Sequence, residues 1–450
     1  MQSHYLCRSL FGFISISLPV AAVLLGTLAV AGHSAAQMPP RPQMGTSESP
    51  AVADHEGVPT PLRDLVQEVE QRNPQVAASF HAWQASRSVP QQAGALPETQ
   101  LSVQQFNVGS PRPFAGYSNS DFAYIGFGMS QDIPYPGKRE LRARIAERES
   151  DAMEAQTDSV RRTVVGNLKM IYFRLAYFQQ TLATLESSKE LLNQVEQAAE
   201  ARYRVGQGNQ QDVLKAQLQH TKILQEIAHH HQEEGLLEAQ IKQLLGRAQE
   251  SPDIITEVLR VRSVHYTAPE LLQRAREQNP DVRSKSASIR QQETQVELAH
   301  KNFRPDFNVQ YTYQHTASNF RDYYMATFGI RLPNRGRQKA ELAEAEQNQE
   351  RARSEMDSES QRVLSEVQQQ YVRAKTSEER LKIYSDGLVP QSEATFRSAL
   401  SAYQSNRQDF ETLLSAFLDV LNLDLEYRSE LVEHESALAE LERLTGVDLP

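Results

Sequence analysis

The sequence predicts a mainly α-helical fold with a small β part, built from duplicated long helical hairpins, and three observations carry that prediction. Val164, Leu168, Ile171, Leu175, Phe178, Leu182 and Leu185 recur in a four-three rhythm that keeps an apolar seam on one helix face. The stretch from Lys138 to Val205 around them contains no proline. At about 1.5 Å per residue it makes a rod of roughly 100 Å, far longer than an ordinary globular helix and in need of partner helices. The third observation is duplication: a comparable stretch runs from Gln338 to Ala402, and LVQEVEQRNPQV at 65–76 returns as LLQRAREQNPDV at 271–282.

At the N-terminus, Arg8 precedes an apolar run from Leu10 to Ala31 and then Ser34, Ala35 and Ala36. This order of charged, apolar and small residues reads as a cleaved secretory signal over residues 1–36, with an uncleaved membrane anchor as the alternative. Cys7, the single cysteine, lies inside it. The exported chain then has no disulfide and no cysteine metal site. Residues 37–61 are proline-rich and aperiodic, and are expected to be a poorly ordered lead-in.

Two repeats follow, at 62–247 and 269–446, separated by a linker at 248–268. Asn73-Pro74 and Asn279-Pro280 stand 206 positions apart, and in each pair asparagine caps a helix whose first residue is proline. Phe127-Gly128 matches Phe328-Gly329 at 201, Gly137 matches Gly336 at 199, and Asp212 matches Asp409 at 197. A period near 200 residues is a duplicated domain, not a solenoid unit. Long helices are expected at 138–205 and 338–402, and shorter ones at 209–246 and 406–445.

Strands are expected at about 96–108, 121–132, 305–315 and 322–332. Phe307, Val309, Tyr311 and Tyr313 alternate with Asp306, Asn308, Gln310 and Thr312, and Ile125, Phe127 and Met129 alternate likewise. The pattern fits membrane-barrel strands facing lipid and a wet lumen, and equally a small soluble sheet with one buried face. Beyond the signal no second run of 18 apolar residues occurs, so any membrane crossing belongs to strands. Four strands cannot close a barrel around a lumen, and an open edge in lipid leaves backbone groups unsatisfied. A membrane-spanning chain of this kind must oligomerise.

Hydrophobic residues make up 39% of the chain and aromatic residues 7%, lean for a large globular core but suited to extended helical packing. A net charge of -10 speaks against nucleic acid as a partner. No phosphate-binding glycine loop, nucleophile elbow or cysteine-zinc pattern is present, so no enzyme activity and no cofactor are assigned. His229 with Glu233, or His230 with Glu234, has the i, i+4 spacing at which two ligands share one helix face. Adjacent histidines point about 100° apart and His229, His230 and His231 cannot converge on one ion. An exposed polar helix face is the competing reading, and no metal site is assigned.

The duplicated order of elements, the Asn-Pro helix starts, the Gly-Lys-Arg after the second strand and YRVGQGNQQDVLKA at 203–216 resemble the TolC-like outer-membrane efflux protein family. The resemblance spans about Leu62 to Gly446. It implies a homotrimer with a 12-stranded barrel in the outer membrane of a Gram-negative bacterium and a helical tunnel in the periplasm. The implied partners are a periplasmic adaptor and an inner-membrane pump of the resistance-nodulation-division type. Tyr203, Val205, Gly206, Asn209 and Asp212 match the first helix-turn-helix tip, which in the family faces the adaptor. AYQSNRQDF at 402–410, with Tyr403 and Asn406, matches the second. Tyr403 stands where the family commonly has glycine, which bears on tip flexibility. Asp409 matches an acidic aperture position, whereas Thr412 stands where a second acidic ring would be. SQDIPYPGKRELRAR at 130–144 is similar to the heavy-metal branch, which implies cation cargo; drugs or type I secreted products are the alternative, and a structural periplasmic coiled-coil protein is the alternative from another class.

Overall fold

A computed structural model describes residues 59–107, 123–316, 321–447 and 449. The signal expected at 1–36 and all but the last three residues of the lead-in lie outside them, as do position 108 of the first expected strand and 121–122 of the second. The helices are α1 (Leu62–Arg72), α2 (Pro74–Ser86), α3 (Val89–Gly94), α4 (Lys138–Arg204), α5 (Gln210–Leu245), α6 (Ala268–Gln278), α7 (Pro280–Lys301), α8 (Arg335–Ile383), α9 (Val389–Gln404) and α10 (Phe410–Thr445). The strands are β1 (Gln100–Phe106), β2 (Tyr124–Ile133), β3 (Asp306–Thr316) and β4 (Asp322–Arg331). None of these helices is long and apolar enough to cross a membrane.

Local chemistry sets the ends. Asn73 accepts from the amides of Gln75 and Val76, and Asn279 from those of Asp281 and Val282, so each satisfies two amides that a helix start leaves open. The same side chains donate onward, Asn73 Nδ2 to the Leu244 carbonyl at 2.8 Å and Asn279 Nδ2 to that of Leu444 at 3.0 Å. One residue type thus starts a helix and fastens it to the last turn of α5 or α10.

The 67 residues of α4 run unbroken, about 100 Å at the standard rise. The uninterrupted helix expected over 338–402 is a different case. It divides into α8 and α9 around a π-turn at Tyr384–Leu388. Pro390 has no N–H and its ring collides with the carbonyl four residues earlier, and one wider turn accommodates both defects. The helix expected from 406 starts at Phe410, because Asn406 takes a left-handed conformation at φ 59° and ends α9.

Along the body, α4 packs against α5, α7 and α10, while α8 packs against α7 and α10. Toward the α4–α5 and α9–α10 turns, one cluster takes Leu192, Val195 and Ala199 from α4, Ile223 from α5, Phe396 and Tyr403 from α9, and Leu413 and Phe417 from α10. A second cluster joins Leu65 and Val69 of α1 to Leu168, Tyr172 and Leu175 of α4 and to Ile241 and Leu245 of α5. The lead-in is pinned where it enters this region, contrary to its expected disorder at 59–61: Thr60 N donates to the Ile255 carbonyl at 2.8 Å, and Tyr172 Oη donates to that of Thr60 at 3.0 Å. The inter-repeat linker is extended there, with Ile254 N on Glu238 Oε1 at 3.2 Å and Thr256 N on Gln179 Oε1 at 3.0 Å.

Candidate functional site

The four strands form one antiparallel sheet in the order β1-β2-β3-β4. Register places Leu101, Met129, Tyr311 and Ala326 on one rung, and Val103, Phe127, Tyr313 and Tyr324 on the next, all on one face. Ser102, Gly128, Thr312 and Met325, and then Gln100, Ser130, Gln310 and Thr327, occupy the other face. Burial decides between the two readings that alternation left open. Leu101 is 80% exposed and Phe328 78%, whereas Thr312 on the polar face is 1% exposed. A water-soluble sheet hides its apolar face; this one hides its polar face and presents its apolar one, as a wall between lipid and a wet lumen does. Gly128 belongs to the crowding of the polar face, since a Cβ there would lie 2.6 Å from Ser102 Oγ. Among the described residues β1 and β4 each pair on one side only, and both leave an edge open.

The joint between sheet and helices is a buried charge clamp. Lys138, 3% exposed, donates to the Arg304 carbonyl at 3.0 Å and to Asp306 Oδ1 at 2.8 Å. Asp306 also accepts from Tyr135 N at 2.8 Å. Here the lysine of the Gly-Lys-Arg motif fixes the direction in which α4 leaves the sheet.

At the far end of the helices the two turns share one geometry. Gln207 N donates to the Arg202 carbonyl and Arg407 N to that of Ala402, both at 2.8 Å, around left-handed residues Gly206 (φ 73°) and Asn406 (φ 59°). This is the closure that satisfies the last carbonyls of a helix, and asparagine tolerates the left-handed position best after glycine. The turns therefore superpose at a spacing of 200. Asn209 corresponds to Asp409 and Asp212 to Thr412, which replaces the pairing of Asp212 with Asp409 at 197. Tyr403 lies inside α9 and needs no glycine-like conformation. Its side chain is 1% exposed, 5.9 Å from the Phe410 ring, with the Arg202 guanidinium 4.3 Å above its own ring. Burial pushes its phenol up from the ordinary value. Tyr403 is thus a packing residue, not an exposed contact.

Arg202 ties the turns together, donating to the Tyr403 carbonyl at 3.0 Å, the Gln207 carbonyl at 3.1 Å and Asn406 Oδ1. The sequence gives no sign of this role, since the partners of Arg202 lie two hundred residues away. Asn209 precedes α5 without a side-chain cap bond, contrary to expectation. Asp409 caps α10, accepting from Thr412 N at 2.9 Å and Thr412 Oγ1 at 2.6 Å, and those bonds hold its carboxyl below the usual carboxylate range. Tyr203 and Val205 are exposed, Asp212 is half-buried, and a polar groove of about 510 Å³ runs between the turns past Arg202, Asp212, Lys215 and Asp409.

The histidine run does not form the exposed face anticipated for it. His230 is 6% exposed, its ring 5.0 Å from that of Phe178, with Nδ1 2.9 Å from the Glu226 carbonyl. Glu234 is also buried, 3.5 Å from His231 Nδ1, and Glu233 lies 3.8 Å from Arg174. Both His230 and Glu234 sit on the seam of α5, where the heptad spacing carries them inward. Only His229 and His231 point outward. Among the described residues no three His, Cys, Asp or Glu side chains form a metal-binding group.

A sheet with its apolar face outward, carried on a helical body about 100 Å long, defines a membrane-seated duct protein. The chain belongs to the outer membrane efflux protein family, whose model matches residues 65–247 and 271–443. Its place is accordingly the outer membrane. Among solved structures it is similar to the outer-membrane channel OprN at 17% identity and TM-score 0.73, over 86% of this chain and 90% of that one. It is similar to CusC at 17% identity and TM-score 0.74, over 86% and 92%. The outer membrane protein VceC from Vibrio cholerae matches at 18% identity and TM-score 0.72, over 86% and 97%. No curated protein matches the chain.

Proposed function

We propose that the chain is the outer-membrane channel of a tripartite efflux system, passing substrates from an inner-membrane pump and a periplasmic adaptor to the exterior. The observation that carries this is the inverted sheet: apolar outside, polar inside, with two open edges at the end of a long helical body. Three copies place each β4 edge beside the β1 edge of the next and close a barrel of twelve strands, which removes every unpaired backbone group from lipid. The helices hang into the periplasm as a tunnel. At the tips, Tyr203, Val205, Gly206, Asn209 and Asp212 form the adaptor-facing surface, while Asn406 shapes the second turn and Tyr403 supports it from within. Asp409 stands at the aperture, one acidic ring in the trimer. The pump is of the resistance-nodulation-division type and supplies the energy. Metal cations are the first cargo, on the strength of residues 130–144, and drugs the second.

Detergent extraction of outer membranes tests the channel reading. The expected result is a trimer whose gel mobility changes on heating; a monomer soluble without detergent refutes it. Deleting the gene and measuring tolerance to a panel of cations and antibiotics tests the cargo. Unchanged metal tolerance with new drug sensitivity reverses the order of cargoes given above.

A further inference from the structure

The six helix-turn-helix tips of a trimer meet at two kinds of seam: one joins the two tips of a single copy, the other joins the first tip of one copy to the second tip of its neighbour. We propose that the ring opens along the seams between copies, the two tips of each copy moving as one body. The proposal rests on the channel reading above.

Within a copy the seam is welded. A single apolar cluster runs through all four tip helices, taking Leu192 and Val195 from α4, Ile223 from α5, Phe396 and Tyr403 from α9, and Phe410, Leu413 and Phe417 from α10. Polar ties add to it. Arg202 reaches the Tyr403 carbonyl, Asn406 Oδ1 and the Tyr403 ring, and Lys215 Nζ lies 2.9 Å from Glu411 Oε2. Separating these tips would expose the cluster and leave the guanidinium without its acceptors.

The repeat supplies the template for the other seam. At the tip spacing of 200, the counterpart of Tyr403 is Tyr203 and that of Arg202 is Ala402. Where Tyr403 lies under a guanidinium within its own copy, Tyr203 is 48% exposed and faces the neighbour's Ala402, which has no donor to offer. Asn406, the acceptor for Arg202, corresponds to Gly206, which has no side chain. The flanks are equally unequal. α5 presents Leu214 and Leu218, whereas the exposed side of α9 carries Gln391, Ala394, Thr395 and Ser398, and its Arg397 is already paired with Glu393 at 2.7 Å. Every polar tie that marks the inner seam is missing from the template of the outer one.

Two cysteine pairs test this in a chain whose one native cysteine is Cys7. Gln207→Cys with Asn406→Cys spans the inner seam, and Tyr203→Cys with Ala402→Cys spans the outer. On oxidation the outer pair should link copies covalently on a non-reducing gel and lower efflux-dependent resistance to that of a deletion strain, with recovery on reduction. The inner pair should oxidise within one copy and leave resistance at the wild-type level. Loss of resistance from the inner pair, with resistance retained by a fully linked outer pair, overturns the proposal. So does a detergent-stable trimer in which the outer pair forms no link. Absence of any trimer removes the channel reading with it. Arg202→Ala gives a second measurement: hydrogen exchange at residues 403–409 should accelerate roughly tenfold while α8 stays protected, and unchanged exchange at the tip removes the weld.

Discussion

Lys138 and Glu238 are both buried and both titratable, and their surroundings give them opposite consequences. Lys138 is neutralised by Asp306 and one carbonyl, so Lys138→Met leaves that carboxylate, also bonded to Tyr135 N, without its countercharge. Breaking one side of a buried pair costs about 3–5 kcal/mol, and the variant should unfold at clearly lower urea, whereas a Lys138→Arg variant that keeps the charge should lose less. Glu238 has no such rescue. Burial, and then the Asp253 carboxylate beside it, raise its carboxyl from 4.5 to about 7. A raised acid binds its proton more tightly in the folded chain, so its contribution to stability is whole below pH 4.5 and is lost as the pH climbs through 7. Glu238→Gln keeps an acceptor for Ile254 N while removing the charge. Its thermal midpoint should exceed that of the wild type at pH 8 by roughly 2 °C and match it at pH 4; an equal gain at both pH values would show that charge is not the cause.

Among the elements, the sheet has the sharpest asymmetry between its faces. Phe328→Arg places a charge on the lipid-facing side and should cost about 2–4 kcal/mol near the bilayer midplane, whereas Thr327→Arg, one residue along, points into the lumen. Refolding into lipid vesicles at graded urea should separate the two variants, and equal losses would mean that the outward face does not meet lipid. That alternation was legible in sequence because a strand repeats every two residues and its two faces meet different media. The length of α4 was legible for a similar reason: a seam sustained over seven rungs, with no proline, leaves the helix nowhere to stop. The π-turn before Pro390 was not, because the apolar rhythm on either side absorbs one extra residue without changing its appearance. Tyr403, the fifty-odd ångströms of α5 seam that draw His230 inward, and the latch at Arg202 share another cause. Each depends on which helix lies alongside, and no local pattern in the sequence carries that information.

At the scale of the whole molecule, the internal repeat indicates where a second copy belongs. Helix α7 lies between α4 and α8 and buries Val282, Ala287, Thr294 and Leu298, yet its counterpart α2 packs on α4 alone and buries no residue. The unfilled flank of α2 is a groove of about 400 Å³ lined by Val76, Phe80, Trp83, Glu154, Asp158 and Arg161, with Phe80 44% exposed. Repeat symmetry fills it with α8 of the next copy. One rotation must then seat α8 on α2, set α9 beside the exposed Leu214 and Leu218 of α5, and bring the β4 edge to β1; three edges far apart along the molecule answer to a single operator, which is the condition for a closed ring. Burial of an aromatic or aliphatic side chain contributes about 1.5–3 kcal/mol, and in a trimer each substitution acts three times. Phe80→Asp combined with Leu218→Glu should therefore shift detergent-solubilised protein from trimer to monomer by light scattering while the far-ultraviolet spectrum of the helices stays the same. A trimer indifferent to both changes would mean that the ring closes through other faces, and the correspondence between α2 and α7 would then be ancestry without a role in assembly.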